Sequence, residues 1–241
     1  MIALGISGLV RGDVIAVWEL PEELTARALL AYLCAFISLA TGMGLLWRRT
    51  APLAARVLLV SLLLYFLSFK APELLRPPAD AVSWESSAET VVILAGAWVL
   101  YARTDSSRER RRLRLAGGAT GLRIARVLYG LAMIAFGVAH FAYLQYTASL
   151  VPAWLASPGV WVCFTGAAYI AAGLAMLSGV YARLAAALSA FQMGLFTLLV
   201  WLPALAAGSN DASQWSEGTV SWALTAAGWV VADSYRLSSQ R

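Results

Sequence analysis

Apolar residues run along the chain in eight blocks, roughly 1–18, 25–47, 52–71, 85–102, 125–146, 159–178, 181–206 and 215–233, separated by short polar stretches. A helix of about 20 apolar residues crosses a hydrocarbon layer of about 30 Å, and most of the blocks have that length. The first is broken by Arg11 and Asp13 and is too short to span. One polar stretch differs in kind. Arg103 to Arg114 is strongly charged and runs into Ala116-Gly117-Gly118, with four apolar blocks on either side. The pattern predicts an all-α multi-pass membrane protein of about eight transmembrane helices. They divide into a four-helix module at 1–102, a basic linker at 103–122 and a second four-helix module at 123–241.

The second module repeats the first. Shifted by 131 residues, Gly42, Leu53-Ala54-Ala55, Pro72, Asp80, Trp84 and Trp98 fall on Gly173, Leu184-Ala185-Ala186, Pro203, Asp211, Trp215 and Trp229. From Cys34 to Tyr101 no gap is needed and 17 of 68 pairs are identical, where ordinary residue usage gives about 10% by accident. Internal repeats fix an architecture before any motif does. Here they predict two fused bundles. Four crossings per module make this a parallel repeat about an axis along the membrane normal.

Charge orients the bundles. Of 18 basic residues, 14 fall in loops on one side, the linker among them. Asp13, Glu19, Glu22, Glu23, Glu73, Asp80, Glu85, Glu89, Asp211 and Glu217 lie on the other. Basic loops stay cytoplasmic, so both termini and the linker are expected there. With 13% charged and 61% hydrophobic residues, the composition excludes an ordinary soluble domain, which carries about 25% charged residues. Cys34 and Cys163 sit in apolar runs and suggest neither a disulfide framework nor a metal site. Met1-Ile2-Ala3-Leu4-Gly5 resembles Met133-Ile134-Ala135-Phe136-Gly137, one residue out of the main register. Helix one is therefore expected to lack a turn or two, with the true start upstream of Met1; a naturally short helix is the alternative.

Arg126-Val-Leu-Tyr129-Gly130, Ile134-Ala-Phe136-Gly137-Val-Ala-His140-Phe141, Leu150-Val-Pro152-Ala-Trp154-Leu155 and Ala182-Arg183-Leu184-Ala185-Ala186 resemble the DoxX-like family of four-helix bacterial membrane proteins. The first module resembles it more loosely, through Gly42-Met-Gly44-Leu-Leu-Trp47-Arg48-Arg49. The resemblance implies the bacterial inner membrane. It points towards quinone-side redox chemistry or an accessory role in a redox or thiol complex. It supplies no catalytic residue.

Few residues offer chemistry. His140, the only histidine, lies inside the fifth block near its outer end. An ionisable group at that depth is a functional candidate, and with Tyr143 and Trp154 it forms a candidate quinone pocket. The plain alternative is an imidazole bonded to a neighbouring helix. Glu85 and Glu89 share a helix face, Glu217 lies one residue off the equivalent of Glu85, and Asp80 and Asp211 each precede a boundary tryptophan by four residues. These outer-face acids could bind cations or take up protons; favourable charge at helix N-termini is the alternative. Trp18, Trp84, Trp154, Trp201 and Trp215 read as an aromatic belt.

No metal spacing, phosphate loop or catalytic triad is visible, and no cofactor is identifiable beyond quinone. The expected partners are the bilayer and a membrane or redox protein, with no nucleic acid. The preferred role is a non-catalytic accessory or scaffold component, leaning away from an enzyme. A quinone-binding oxidoreductase subunit and a small-molecule transporter are the alternatives. Against transport, neither half shows a broken helix.

Overall fold

The computed structural model describes residues 1–12, 16–75, 81–104, 117–208 and 212–236. Among them the secondary structure is helical, with no strand. The helices are α1 (Ile2–Arg11), α2 (Arg27–Gly44), α3 (Ala51–Leu74), α4 (Ala81–Thr104), α5 (Gly118–Ala142), a short α6 (Leu144–Ser149), α7 (Pro158–Ser178), α8 (Ala182–Ala206) and α9 (Ala212–Ser234). Pro52 and Pro158 sit in the first turns of α3 and α7, where a missing N–H costs nothing. Gly179 closes α7 in the left-handed region at φ 78°.

Among the described residues five helices, α2, α3, α5, α7 and α8, are long and apolar enough to cross a membrane. The protein is therefore multi-pass, though the eight apolar blocks do not all pass this test. α1 is apolar but has only ten residues. α4 and α9 have 24 and 23 residues but carry carboxylates and many small polar side chains. Their position explains the difference. α4 packs against α3, α5 and α9, and α9 against α8 and α4. α4 exposes large apolar side chains only at Val82 and Trp84. A helix covered by other helices need not be as apolar as one facing lipid.

Each element from α2 onward recurs in the second half. Arg27 and Pro158 open α2 and α7; Ala51 and Ala182 open α3 and α8; Ala81 and Ala212 open α4 and α9. Every pair is 131 apart, the sequence offset. Within α3 and α8 the backbone widens into a π-turn at Phe66–Lys70 and again at Thr197–Trp201. The helices expected to be unbroken are continuous, but each carries this local irregularity at the same place, a feature often found at functional sites.

α4 and α9 run parallel and cross at equivalent positions. A methyl group on Gly96 would stand 2.8 Å from Ala227 Cβ. At their far ends Arg103 Nη1 lies 2.9 Å from Asp233 Oδ2. Like surfaces meeting like is the signature of two-fold pairing.

Glycines set the other contacts. A Cβ on Gly137 would meet the Gly166 carbonyl oxygen at 2.6 Å, and one on Gly173 would meet the Gly130 carbonyl oxygen at 2.5 Å, so α5 and α7 touch backbone to backbone. Small residues permit this close approach where lipid removes the hydrophobic drive. α1 meets α2 in the same way, with Gly5 against Leu39 and Gly42 against Ile2, as Gly137 meets Ile170 and Gly173 meets Ile134. Beside the short α1 lies an apolar cavity of about 410 Å³, lined by Met1, Leu58, Ala97 and Ala227 among others. Across the pairing axis, Tyr129 is fully buried, with its hydroxyl 3.1 Å from Ser189 and close to Gly228. Ser189 and Gly228 are the counterparts of Leu58 and Ala97, so α5 fills in one half what remains open in the other.

Candidate functional site

His140 lies in the last turn of α5 and is 9% exposed. Its Nδ1 is 2.8 Å from the Phe136 carbonyl oxygen. That bond places the hydrogen of the neutral ring on Nδ1 and a lone pair on Nε2. Nε2 is buried and has no hydrogen-bond partner among the described residues. The ring meets Tyr169 edge-on at 5.5 Å and stacks on Phe196 at 5.9 Å. Behind it, α7 comes close enough that a methyl on Gly166 would stand 2.9 Å from His140 Cβ.

Neither of the residues grouped with His140 from the sequence forms this box. Tyr143 terminates α5 and is half-buried, and Trp154 is 71% exposed in the following loop. Tyr169 and Phe196 come from α7 and α8, and nothing local in the sequence marks them.

The first half holds a matching box with a different occupant. Residues 38 and 65 are the counterparts of 169 and 196. Between Ser38 and Tyr65 sits Trp18, 3% exposed, donating from Nε1 to Ser38 Oγ at 2.9 Å and lying edge-on to Tyr65 at 5.0 Å. Trp18 is thus a core residue rather than part of the expected aromatic belt. Trp84, Trp154 and Trp215 are exposed as a belt requires. The Trp18 indole finds a partner for its polar atom, and the His140 imidazole leaves one polar atom bare. A buried acceptor without a donor costs about 1–3 kcal/mol. What it can do chemically is accept a hydrogen bond from a hydroxyl.

Lys70, the last residue of the first π-turn, is 2% exposed. Its ammonium donates to Glu19 Oε2 at 2.5 Å and to Ser86 Oγ at 2.6 Å, and Ser86 Oγ donates to Glu19 Oε2 at 2.7 Å. Tyr65 also donates to the Glu19 carbonyl oxygen at 2.7 Å. Together these bonds hold the segment after α1 down on the bundle, with Val17 and Leu20 buried beneath it. Glu85 and Glu89 on α4 and Glu217 on α9 lie close enough to repel one another, near the N-terminal ends of the α4–α9 pair. Asp80 and Asp211 lie outside the described residues. Among the described residues no group of three or more His, Cys, Asp or Glu could hold a metal ion.

On the arginine-rich face, Arg126 donates to the Ser234 carbonyl oxygen at 2.6 Å and to Ser234 Oγ at 3.0 Å, with its guanidinium 4.0 Å above the Tyr235 ring. These contacts tie the start of α5 to the end of α9.

No curated protein and no solved structure matches the chain. The family model for DoxX matches residues 121–202, the stretch that runs from the first turn of α5 through α7 to the end of the π-turn in α8 and contains the whole His140 box. The second half of the chain therefore carries a DoxX domain, and the protein is an integral membrane protein.

Proposed function

We propose that this protein is a non-catalytic accessory component of a bacterial inner membrane, a tandem duplication of one four-helix module that docks a membrane partner along α9. The observation that carries this reading is a stripe of tryptophans. Trp215, Trp222 and Trp229 are 41%, 55% and 48% exposed and recur every seven residues, on one face of the helix. Interfacial belts account for tryptophans at helix ends, but Trp222 lies at the middle of α9. Exposed aromatic residues at helix-packing spacing suit a partner helix, and aromatic anchors carry much of an interface's energy. The buried polar groups have structural uses: Lys70 holds the Glu19 segment, Thr197 bridges to Ser221 at 2.7 Å, and Tyr129 meets Ser189. In this reading both termini and the linker face the cytoplasm, and eight helices cross.

A second reading is a quinone-binding oxidoreductase subunit, favoured by the bare Nε2 of His140. A quinol hydroxyl is the donor this atom lacks.

One preparation separates the two. The full chain is purified in mild detergent as wild type, as Trp222→Ala with Trp229→Ala, and as His140→Phe. The accessory reading expects a stoichiometric membrane protein that the double tryptophan variant loses. It also expects His140→Phe to keep that partner and to stay within about 1 kcal/mol of wild type, since the substitution removes an unpaired acceptor. Stoichiometric quinol binding by the isolated wild-type chain, abolished by His140→Phe, would overturn the accessory reading in favour of the second.

A further inference from the structure

The arginine-rich face of the DoxX domain carries a cleft of about 930 Å³. It lies where α5 begins, α7 ends, α8 begins and α9 ends. Arg123, Arg126 and Arg183 line it with Tyr181 and the 55% exposed Leu184, and the buried Met176 lies at its floor. Arg123 and Arg183 are exposed. Tyr181 caps α8 in the left-handed region at φ 50° and is 79% exposed. Only a few per cent of non-glycine residues take such a conformation, and here it leaves the phenol at the edge of the cleft. The amide end of α8 adds its own positive field to the three guanidinium groups.

We infer that this cleft binds one anionic phospholipid, its phosphate on Arg123 and Arg183 and the upper part of its acyl chain on the apolar floor. The argument rests on the pairing of charge with apolar surface. A soluble anion would use the guanidinium rim and leave Met176, Leu184 and Ala187 without a partner. A neutral lipid would use the floor and leave the cations unanswered. Basic pockets between membrane helices on the arginine-rich side hold acidic head groups. Arg126 is already committed to Ser234 and Tyr235; it shapes the wall, while the two exposed arginines are free to move onto a phosphate.

The first half is built differently at the same corner. Gly179, Val180 and Ala187 have Arg48, Arg49 and Arg56 as counterparts, while Arg183 has Pro52. The positions that carry charge differ between the halves, so this arrangement of arginines is not repeated in the first half.

The test uses the full chain in nanodiscs, with bound lipid read by native mass spectrometry. Phosphatidylglycerol is titrated against phosphatidylcholine for wild type and for Arg123→Gln with Arg183→Gln, and inorganic phosphate is added as competitor in a separate arm. At about 1 kcal/mol for each basic group, the double variant should bind phosphatidylglycerol about thirtyfold more weakly, with phosphatidylcholine unchanged. Added salt should narrow the wild-type preference. An unchanged unfolding midpoint shows that the variant is folded, because both side chains are exposed. Equal binding of the two lipids, or full retention by the double variant, would overturn the proposal. Displacement by millimolar inorganic phosphate would reassign the cleft to a soluble anion.

Discussion

Lys70 and Glu19 form an ion pair whose two members live in different surroundings. The ammonium is 2% exposed and the carboxylate 52%. Removing the carboxylate strands a buried cation. Removing the cation leaves an anion that water already reaches. Glu19→Ala should therefore cost about 3 kcal/mol, the low end for breaking a buried pair, and Lys70→Met less than about 1 kcal/mol. Denaturation in a single detergent checks the order of the two, and a larger loss for Lys70→Met would show that the pair does not organise this corner. Glu73 is a weaker partner at 4.0 Å. The sequence could not show that a segment 51 residues earlier would fold across the end of the bundle and take Lys70. His140 presents the same lesson. As the single histidine it was conspicuous, but its neighbours Tyr169 and Phe196 come from two other helices. Their counterparts Ser38 and Tyr65 differ from them, so residue identity does not mark the shared box.

At the scale of the helix, backbone contact between α5 and α7 depends on four glycines. Gly137→Ala places a methyl 2.6 Å from a carbonyl oxygen and 2.5 Å from Ile170 Cγ1, closer than any real contact, so the helices must separate. The cost should be about 1–3 kcal/mol, as for other overpacked cores. Gly194→Ala is the internal control: its methyl meets only Thr225 Cγ2, at an ordinary 3.4 Å, and should be neutral or slightly stabilising because alanine favours helix. Equal losses at both sites would mean that the cost comes from helix propensity and that close packing plays no part. The small residues on α5 and α7 were legible in the sequence at a spacing of seven. The π-turns were not, because widening a helix by one residue leaves the apolar pattern of α3 and α8 almost unaltered. The more polar character of α4 and α9 was partly hidden as well. A block with two carboxylates gives no sign by itself of how far neighbouring helices cover it.

For the whole molecule, the parallel pairing of α4 with α9 at Gly96 and Ala227 is what two halves sharing one direction would produce. Charges at both ends of the pair agree with it, with Glu89 near Glu217 at one end and Arg103 bonded to Asp233 at the other. Two modules offset by 131 residues should lie in the membrane the same way round. Single cysteines answer this directly in a background carrying Cys34→Ala and Cys163→Ala. Arg49→Cys and Val180→Cys are one pair of counterparts, and Glu22→Cys and Ala153→Cys are another. A membrane-impermeant thiol reagent applied to vesicles of known orientation should label Arg49→Cys and Val180→Cys from one face, and Glu22→Cys and Ala153→Cys from the opposite face. Labelling of the two members of either pair from opposite faces would contradict the parallel arrangement.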